Sequence, residues 1–512
     1  MSRHGSATAS PSLDRLRDDG QAFMEEISRE YYLAMGGLKA SAELQPIYEK
    51  HAGLVDPDTL AMTLEAFRGS IAGTEEHVRA RMLLEWLAGL RSGRELAQLD
   101  EREMTWEASA MVKLSDGSKV QYERVPIEIA NAADRAHRLA VYEARSKLVE
   151  AELAPLRRER FQRERDIIEA LDLGDGYNAT WELLSGVSLN DLSAQCEQFL
   201  KDTQAAWNET APEFIKRVLG IDAREATRAD ALALFRAQAF DAYFPAREME
   251  ERVQGQVRAM GVDPLAGGRI RLDTGEREGK RSRAFCAPVR VPDEVYLVLR
   301  PHGGQTDWST FLHELGHALH FAYMRPDYPF EYKWLGDNSV TESYAMLFDG
   351  LMQDSGWLKR YTDLGEPRVP TFTRSGGFEE LHFMRRYCAK FIYEMHLYSG
   401  DVRWEALPDL YVDLLTKATT FQYSRSDAFV DVDPGYYSAR YLRAWQLQAL
   451  LNETLTERYD ADWWRNPRAG PWVVESLLAE GQRELAHDLA KRVSGRELSF
   501  APLVREIERL LG

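Results

Sequence analysis

The sequence predicts a large, mainly α-helical protein with a small β-ribbon placed just ahead of one functional helix. Three observations carry that expectation. Apolar residues recur at helical spacing over most of the 512 residues. Residues 267–300 break that period and alternate instead, as strands do. Residues 311–320, FLHELGHALH, then return to the helical pattern with His313 and His317 four apart on one face.

Taken in order, Leu13 to about Met35 is helical, and Gly36-Gly37 stops it. The dozen residues before it are polar and lack an apolar run, so they predict a disordered N-terminus rather than a secretory signal. Asp56-Pro57 opens a helix through Phe67, and Thr74-Glu75-Glu76 begins a longer one through Leu90. Met111 to Tyr122 alternates around Asp116-Gly117, which predicts a short hairpin. Ile127–Leu171, Leu189–Leu219 and Arg228–Met260 read as long helices. The charged run at 156–166 is a solvated face with i,i+4 pairs. Composition changes after 266, so the chain divides into a helical N-terminal lobe, 13–266, and a catalytic lobe, 267–512. In the second, RAFCAPVRV and EVYLVLR are the strand candidates. Helices follow at Val340–Asp354, Phe378–Tyr398, Trp404–Thr420, Tyr436–Leu455 and Trp472–Leu511.

Composition narrows the function. With 44% hydrophobic residues the chain can build a large core. A net charge of −18 and the lack of a basic run argue against nucleic acid and anionic membranes as partners. No apolar run reaches the roughly 20 residues that span a bilayer. Cys196, Cys286 and Cys388 are odd in number and far apart, which points to a reducing, cytoplasmic compartment.

His313-Glu314-Leu315-Gly316-His317 carries the chemistry. Two imidazoles four apart on a helix reach one metal ion, most simply Zn²⁺, one per chain. Glu314, about 100° round the helix from His313, faces the water that such an ion activates and serves as general base. Glu342, in the first turn of the next helix, is the candidate third ligand. Asp349 lies seven residues on and is the candidate acid that orients a ligand histidine. Gly316 costs about 1 kcal/mol in a helix relative to Ala, and permits close approach of a backbone or substrate. A strand edge beside this helix would pair with an extended peptide. Ala284 and Phe285 are candidate substrate contacts on that edge, and His320 and Tyr436 are further candidates. The other aromatic segment, Asp431 to Gln446, places Tyr437, Arg440 and Tyr441 within two turns. A phenol or guanidinium there would donate to the oxyanion of peptide hydrolysis.

HELGH, a ligand-type Glu 25 residues after the second His and a tyrosine-rich C-terminal helix together resemble the thimet oligopeptidase and oligoendopeptidase F family of zinc metallopeptidases. The specific likeness runs from about Ala284 to Trp445. It implies a bilobed helical shell around a deep substrate channel, with zinc held by His313, His317 and Glu342, Glu314 as base, and short or unfolded peptides as substrates. One departure stands out. Such relatives carry a His at the start of the tyrosine run, and here there is no His between His396 and His487. Arg440-Tyr441 looks instead like the Arg-Tyr pair of the angiotensin-converting-enzyme family. Two alternatives to an oligopeptidase follow. One is a carboxypeptidase or dipeptidyl carboxypeptidase, with Arg440 or another cation on the substrate's C-terminal carboxylate. The other is a catalytically silent peptide-binding relative.

Overall fold

The computed structural model describes residues 12–236 and 238–512, so most of the expected disordered N-terminus lies outside the described residues. Helix α1 (Leu13–Met35) starts on Ser12, whose side chain accepts from the Arg15 N–H. Helix α2 is Pro57–Gly69, with its proline in the first turn. Thr74 caps α3, as its sequence predicts, but α3 runs on from Glu75 to Ser109. Nothing in that stretch forces a stop. Surface pairs such as Arg91–Glu95, 2.9 Å apart, carry the helix past Leu90. The hairpin forms as β1 (Met111–Lys113) and β2 (Lys119–Gln121), with Val112 opposite Val120 and Gly117 at φ +88°.

The longer helical stretches are broken where local chemistry competes. Asp134 interrupts the stretch from Ile127 by capping a new helix, accepting from the N–H groups of Ala136 and His137. A single π turn at Val149–Leu153 precedes Pro155, whose ring cannot donate to the preceding turn. Thr203 splits the next stretch in two. The C-terminal stretch from Trp472 becomes three helices, ending in Ala501–Leu511. No described helix is long and apolar enough to cross a membrane.

The ribbon before the His313–His317 helix is a three-stranded sheet. β3 (Ile270–Asp273) runs parallel to β5 (Glu294–Val298), and β4 (Phe285–Arg290) pairs antiparallel on the other side of β5. β5 shows why alternation was readable. Val295 and Leu297 join the core with Trp308, Phe311 and Leu315. Val298 and Tyr296 face the other way, where Tyr296 stacks on Tyr32 of α1 at 3.8 Å.

The functional helices follow. Helix α4 (Gln305–Tyr323) buries Trp308, Phe311, Leu312, Leu315, Ala318, Leu319 and Ala322. Helix α5 (Asn338–Asp349) is capped by Asp337, whose side chain accepts from the Ser339 N–H, and every residue from Ser339 to Phe348 is buried. Helix α6 spans Val369–Ser399 and helix α7 spans Tyr437–Tyr459. Helix α5 packs against α4 on one side and α7 on the other. Two large cores result. One surrounds α4 and α5 and includes the chain from Phe244 to Phe372 and from Leu447 to Leu498. The other joins N-terminal residues such as Phe161, Phe199 and Trp207 to α6 and to the last helix.

Candidate metal centre

Helices α4 and α5 cross at Gly316. A Cβ built there would stand 2.6 Å from Ala345 Cα and 2.8 Å from the Tyr344 carbonyl oxygen. Only glycine admits a neighbouring backbone so closely. That approach brings three side chains together. His313 and His317 have ring centroids 4.9 Å apart. Glu342 Oε2 lies 3.6 Å from His313 Nε2 and 3.7 Å from His317 Nε2. One ligand atom of each residue is within 4.8 Å of the others.

The other ring nitrogens are occupied. His313 Nδ1 is 2.9 Å from Asp349 Oδ2, and His317 Nδ1 is 2.9 Å from Thr341 Oγ1. A carboxylate at Nδ1 fixes the proton there and leaves the Nε2 lone pair facing Glu342. Glu342 Oε1 accepts from the Tyr437 hydroxyl at 3.1 Å, whereas the buried Oε2 has no hydrogen-bond partner among the described residues. A separation of 3.6 Å is too long to count as one. An unpartnered carboxylate oxygen in the interior is costly unless a cation meets it. Two imidazole nitrogens and one carboxylate oxygen are the donor set that a zinc-type ion accepts.

Electrostatics separate the histidines. Burial opposes a charge on His313, but with no ion between them Asp349 and Glu342 outweigh it and raise the ring to about 10, so a metal ion would take the place of a proton at Nε2. Burial pushes His317 down to about 4. Burial also opposes ionisation of Glu342, but the two histidines draw its carboxyl below the usual range. Glu314 goes the other way. Burial raises its carboxyl, partly offset by His313 and by the Cys286 N–H, which donates to Glu314 Oε2 at 2.7 Å.

The remaining candidates divide. Tyr437 and Tyr441 share a face of α7 with ring centroids 5.0 Å apart. Tyr437 reaches Glu342, and the Tyr441 hydroxyl makes no hydrogen bond among the described residues. Ala284 and Phe285 lead into β4, an edge strand of its sheet, beside the Cys286–Glu314 contact. Arg440 does not turn to the ligands. Its guanidinium pairs with Glu85 at 2.6 Å, because that carboxylate is buried and needs a counter-charge. Tyr436 is 3% exposed, sits at φ +53° just ahead of the helix, and donates to Asn178 Oδ1 at 2.6 Å. A left-handed residue there swings its ring into the core with Tyr177, Phe391 and Tyr398, away from any substrate. His320 is fully buried edge-on to Tyr344 and is core as well.

Four participants escape a reading of the sequence. Thr341 and the Cys286 N–H carry no motif. Tyr387 of α6 meets Tyr441 and Trp445 at 6.1 and 5.4 Å, extending the aromatic face. Arg283 is exposed, has no ion pair among the described residues, and its charge acts on both Glu314 and Tyr441. A lone arginine just before a strand gives no signal until the strand's edge is placed beside the metal helix.

No family model matches the chain, and no curated protein matches it. Among solved structures it is similar to the crystal structure of a "putative peptidase" from Chlamydophila abortus. The two share 14% identity at a TM-score of 0.67, over 98% of this chain and 89% of that one. At that identity the likeness establishes the fold.

Proposed function

We propose that the protein is a zinc-dependent peptidase that hydrolyses short or unfolded peptides in the cytoplasm. The observation that carries the reading is the convergence of His313, His317 and Glu342 with Glu314 one residue along the same helix. Likeness in fold to a structure described as a peptidase supports it. The sequence resemblance to the thimet oligopeptidase and oligoendopeptidase F family supports the finer reading, a metalloendopeptidase working inside a channel.

When bound, the ion supplies a Lewis acid between the three ligands. The chain supplies the rest. Asp349 and Thr341 fix the two imidazoles. The Cys286 N–H holds Glu314 Oε2, which leaves Oε1 to take a proton from the attacking water and later return it to the leaving amine. Burial raises the Glu314 carboxyl and makes it a better base. β4 offers an edge to the substrate backbone. Tyr441, with its hydroxyl uncommitted, is the donor for the oxyanion, in place of the His that the tyrosine run lacks.

Tyr441→Phe is expected to lower kcat by roughly 10²–10³, the usual effect of losing one oxyanion donor, with little change in KM. Tyr436→Phe is expected to leave both constants near parental. Steady-state kinetics on one peptide checks both. Full kcat in Tyr441→Phe moves the donor to Tyr437.

The exopeptidase reading keeps one observation in its favour. Arg440 is committed to Glu85, but Arg283 offers an unpaired guanidinium beside Glu314. One experiment tests the function and divides the readings. The purified protein is assayed for metal and given a library of peptides with free or amidated C-termini, read by mass spectrometry. About one zinc per chain, lost in Glu342→Ala, and internal cleavage of amidated peptides are the expected results. Cleavage of free C-termini alone selects the exopeptidase. Undiminished zinc in Glu342→Ala removes that residue from the site, and the absence of any cleavage overturns the proposal.

A further inference from the structure

A cavity near the metal cluster has the shape and charge of a second recognition site. It encloses about 480 Å³ and is walled by Phe214, Phe235, Phe240, Phe372 and Phe378, with Glu379 among them. Two arginines also line it, and both are committed. Arg138 donates to the carbonyls of Ala132 and Ala133 and pairs with Asp230, and Arg236 pairs with Asp241. Glu379 has no hydrogen bond or ion pair among the described residues. Its side chain is exposed at the cavity wall, yet the protein packed around it pushes its carboxyl up to about 7. Both hold together on the wall of a concavity, where a group touches solvent but is poorly hydrated. A carboxylate so placed, without a counter-charge, is stabilised by any cation that enters.

The cavity lies at the start of the helix that carries the cluster. Gln305 lines it and opens α4, and His313 lies eight residues on, about 12 Å along the axis. Gln353 also lines it, four residues after Asp349, which holds His313. On α6, Glu379 is followed at one-turn intervals by Phe383 and Tyr387, which touch each other, and Tyr387 reaches Tyr441. An extended peptide advances about 3.3 Å per residue, so three or four residues cover the span.

We propose that this cavity is a substrate subsite for a cation, held by Glu379 against the phenylalanine wall, three or four residues from the bond that is cut. The cation is an arginine or lysine side chain or the free α-ammonium of a short peptide. A guanidinium suits it best, since it pairs with a carboxylate through two N–H groups and stacks on aromatic faces. The inference rests on the peptidase reading, and binding is measured separately so that the two fail separately.

The probes are peptides with arginine, or its uncharged analogue citrulline, at each position within four residues of the cleaved bond, each with a free or acetylated N-terminus. Cleavage is followed with the zinc-loaded enzyme, and binding by fluorescence anisotropy with the Glu314→Gln variant, which retains the cavity. At one position arginine is expected to exceed citrulline by about tenfold in kcat/KM and in affinity, the effect of one charge-assisted pair. Glu379→Gln is expected to bring that ratio to within about twofold and leave citrulline peptides unaffected. If only the acetylation contrast responds to Glu379→Gln, the α-ammonium is the ligand. Equal treatment of arginine and citrulline, together with no effect of acetylation, overturns the proposal in the parental protein, whether or not Glu379→Gln folds. Unchanged discrimination in Glu379→Gln overturns it too. Arginine-selective binding without any cleavage leaves the subsite standing and removes the peptidase reading.

Discussion

Glu314→Gln is expected to retain its metal and lose at least about two orders of magnitude in kcat, the usual contribution of a positioned general base. The geometry makes this a clean test. Gln is nearly isosteric, and its side-chain oxygen still accepts from the Cys286 N–H, so β4 and α4 stay in register. What is lost is the proton site on the other oxygen. Glu314 is not among the clustered ligand atoms, so metal content is expected to match the parent. Metal analysis and single-turnover cleavage on one preparation check both halves. Parental kcat in Glu314→Gln places the base elsewhere.

Gly316→Ala is expected to damage both stability and metal binding, although it lies outside the ligand set and alanine favours helices by about 1 kcal/mol. The new methyl would meet the α5 backbone at Ala345 and Tyr344, and a backbone cannot turn aside as a side chain can. Overpacking of this kind costs about 1–3 kcal/mol. The larger effect is on the ligands, because relief requires α4 and α5 to move apart and Glu342 to move away from both imidazoles. Displaced ligand support typically weakens metal binding about 10–100-fold. A lowered melting temperature with weakened zinc affinity is expected. An unchanged midpoint and affinity would show that the helices yield without cost.

The sequence announced most of this centre, and the reason is local. His313, Glu314 and His317 share one helix, so a single periodicity places all three. Glu342 was legible because the helix that bears it follows closely in the chain. The strands at Phe285–Arg290 and Glu294–Val298 were legible from alternation, whereas Ile270–Asp273 was not, being short and paired in parallel to a strand more than twenty residues away. The same limit governs the errors. Helical spacing places Arg440 beside Tyr441, but cannot reveal a buried Glu85 some 355 residues away that claims its guanidinium. Tyr436 fails for a smaller reason. The helix starts one residue after it, and the left-handed turn reverses the direction of its ring. Cys196 and Cys388 look unrelated in sequence, yet both lie fully buried in the same core as free thiols.

Helix α6 has a mechanical consequence. Its first turns, through Val369 and Phe372, belong to the core around the metal helices, and the rest, from Phe378 to Tyr398, to the other core. Helix α7 is shared in the same way, with Leu442 in one core and Leu447 in the other. Two continuous rods, of 31 and 23 residues, therefore stitch one seam. Helix α7 has no proline at which to fold sharply, whereas α6 carries Ser375, Gly376 and Gly377 where it passes from one core to the other, the kind of run at which helices kink. A clamshell motion across that seam would bend α6 at those residues and would have to break α7.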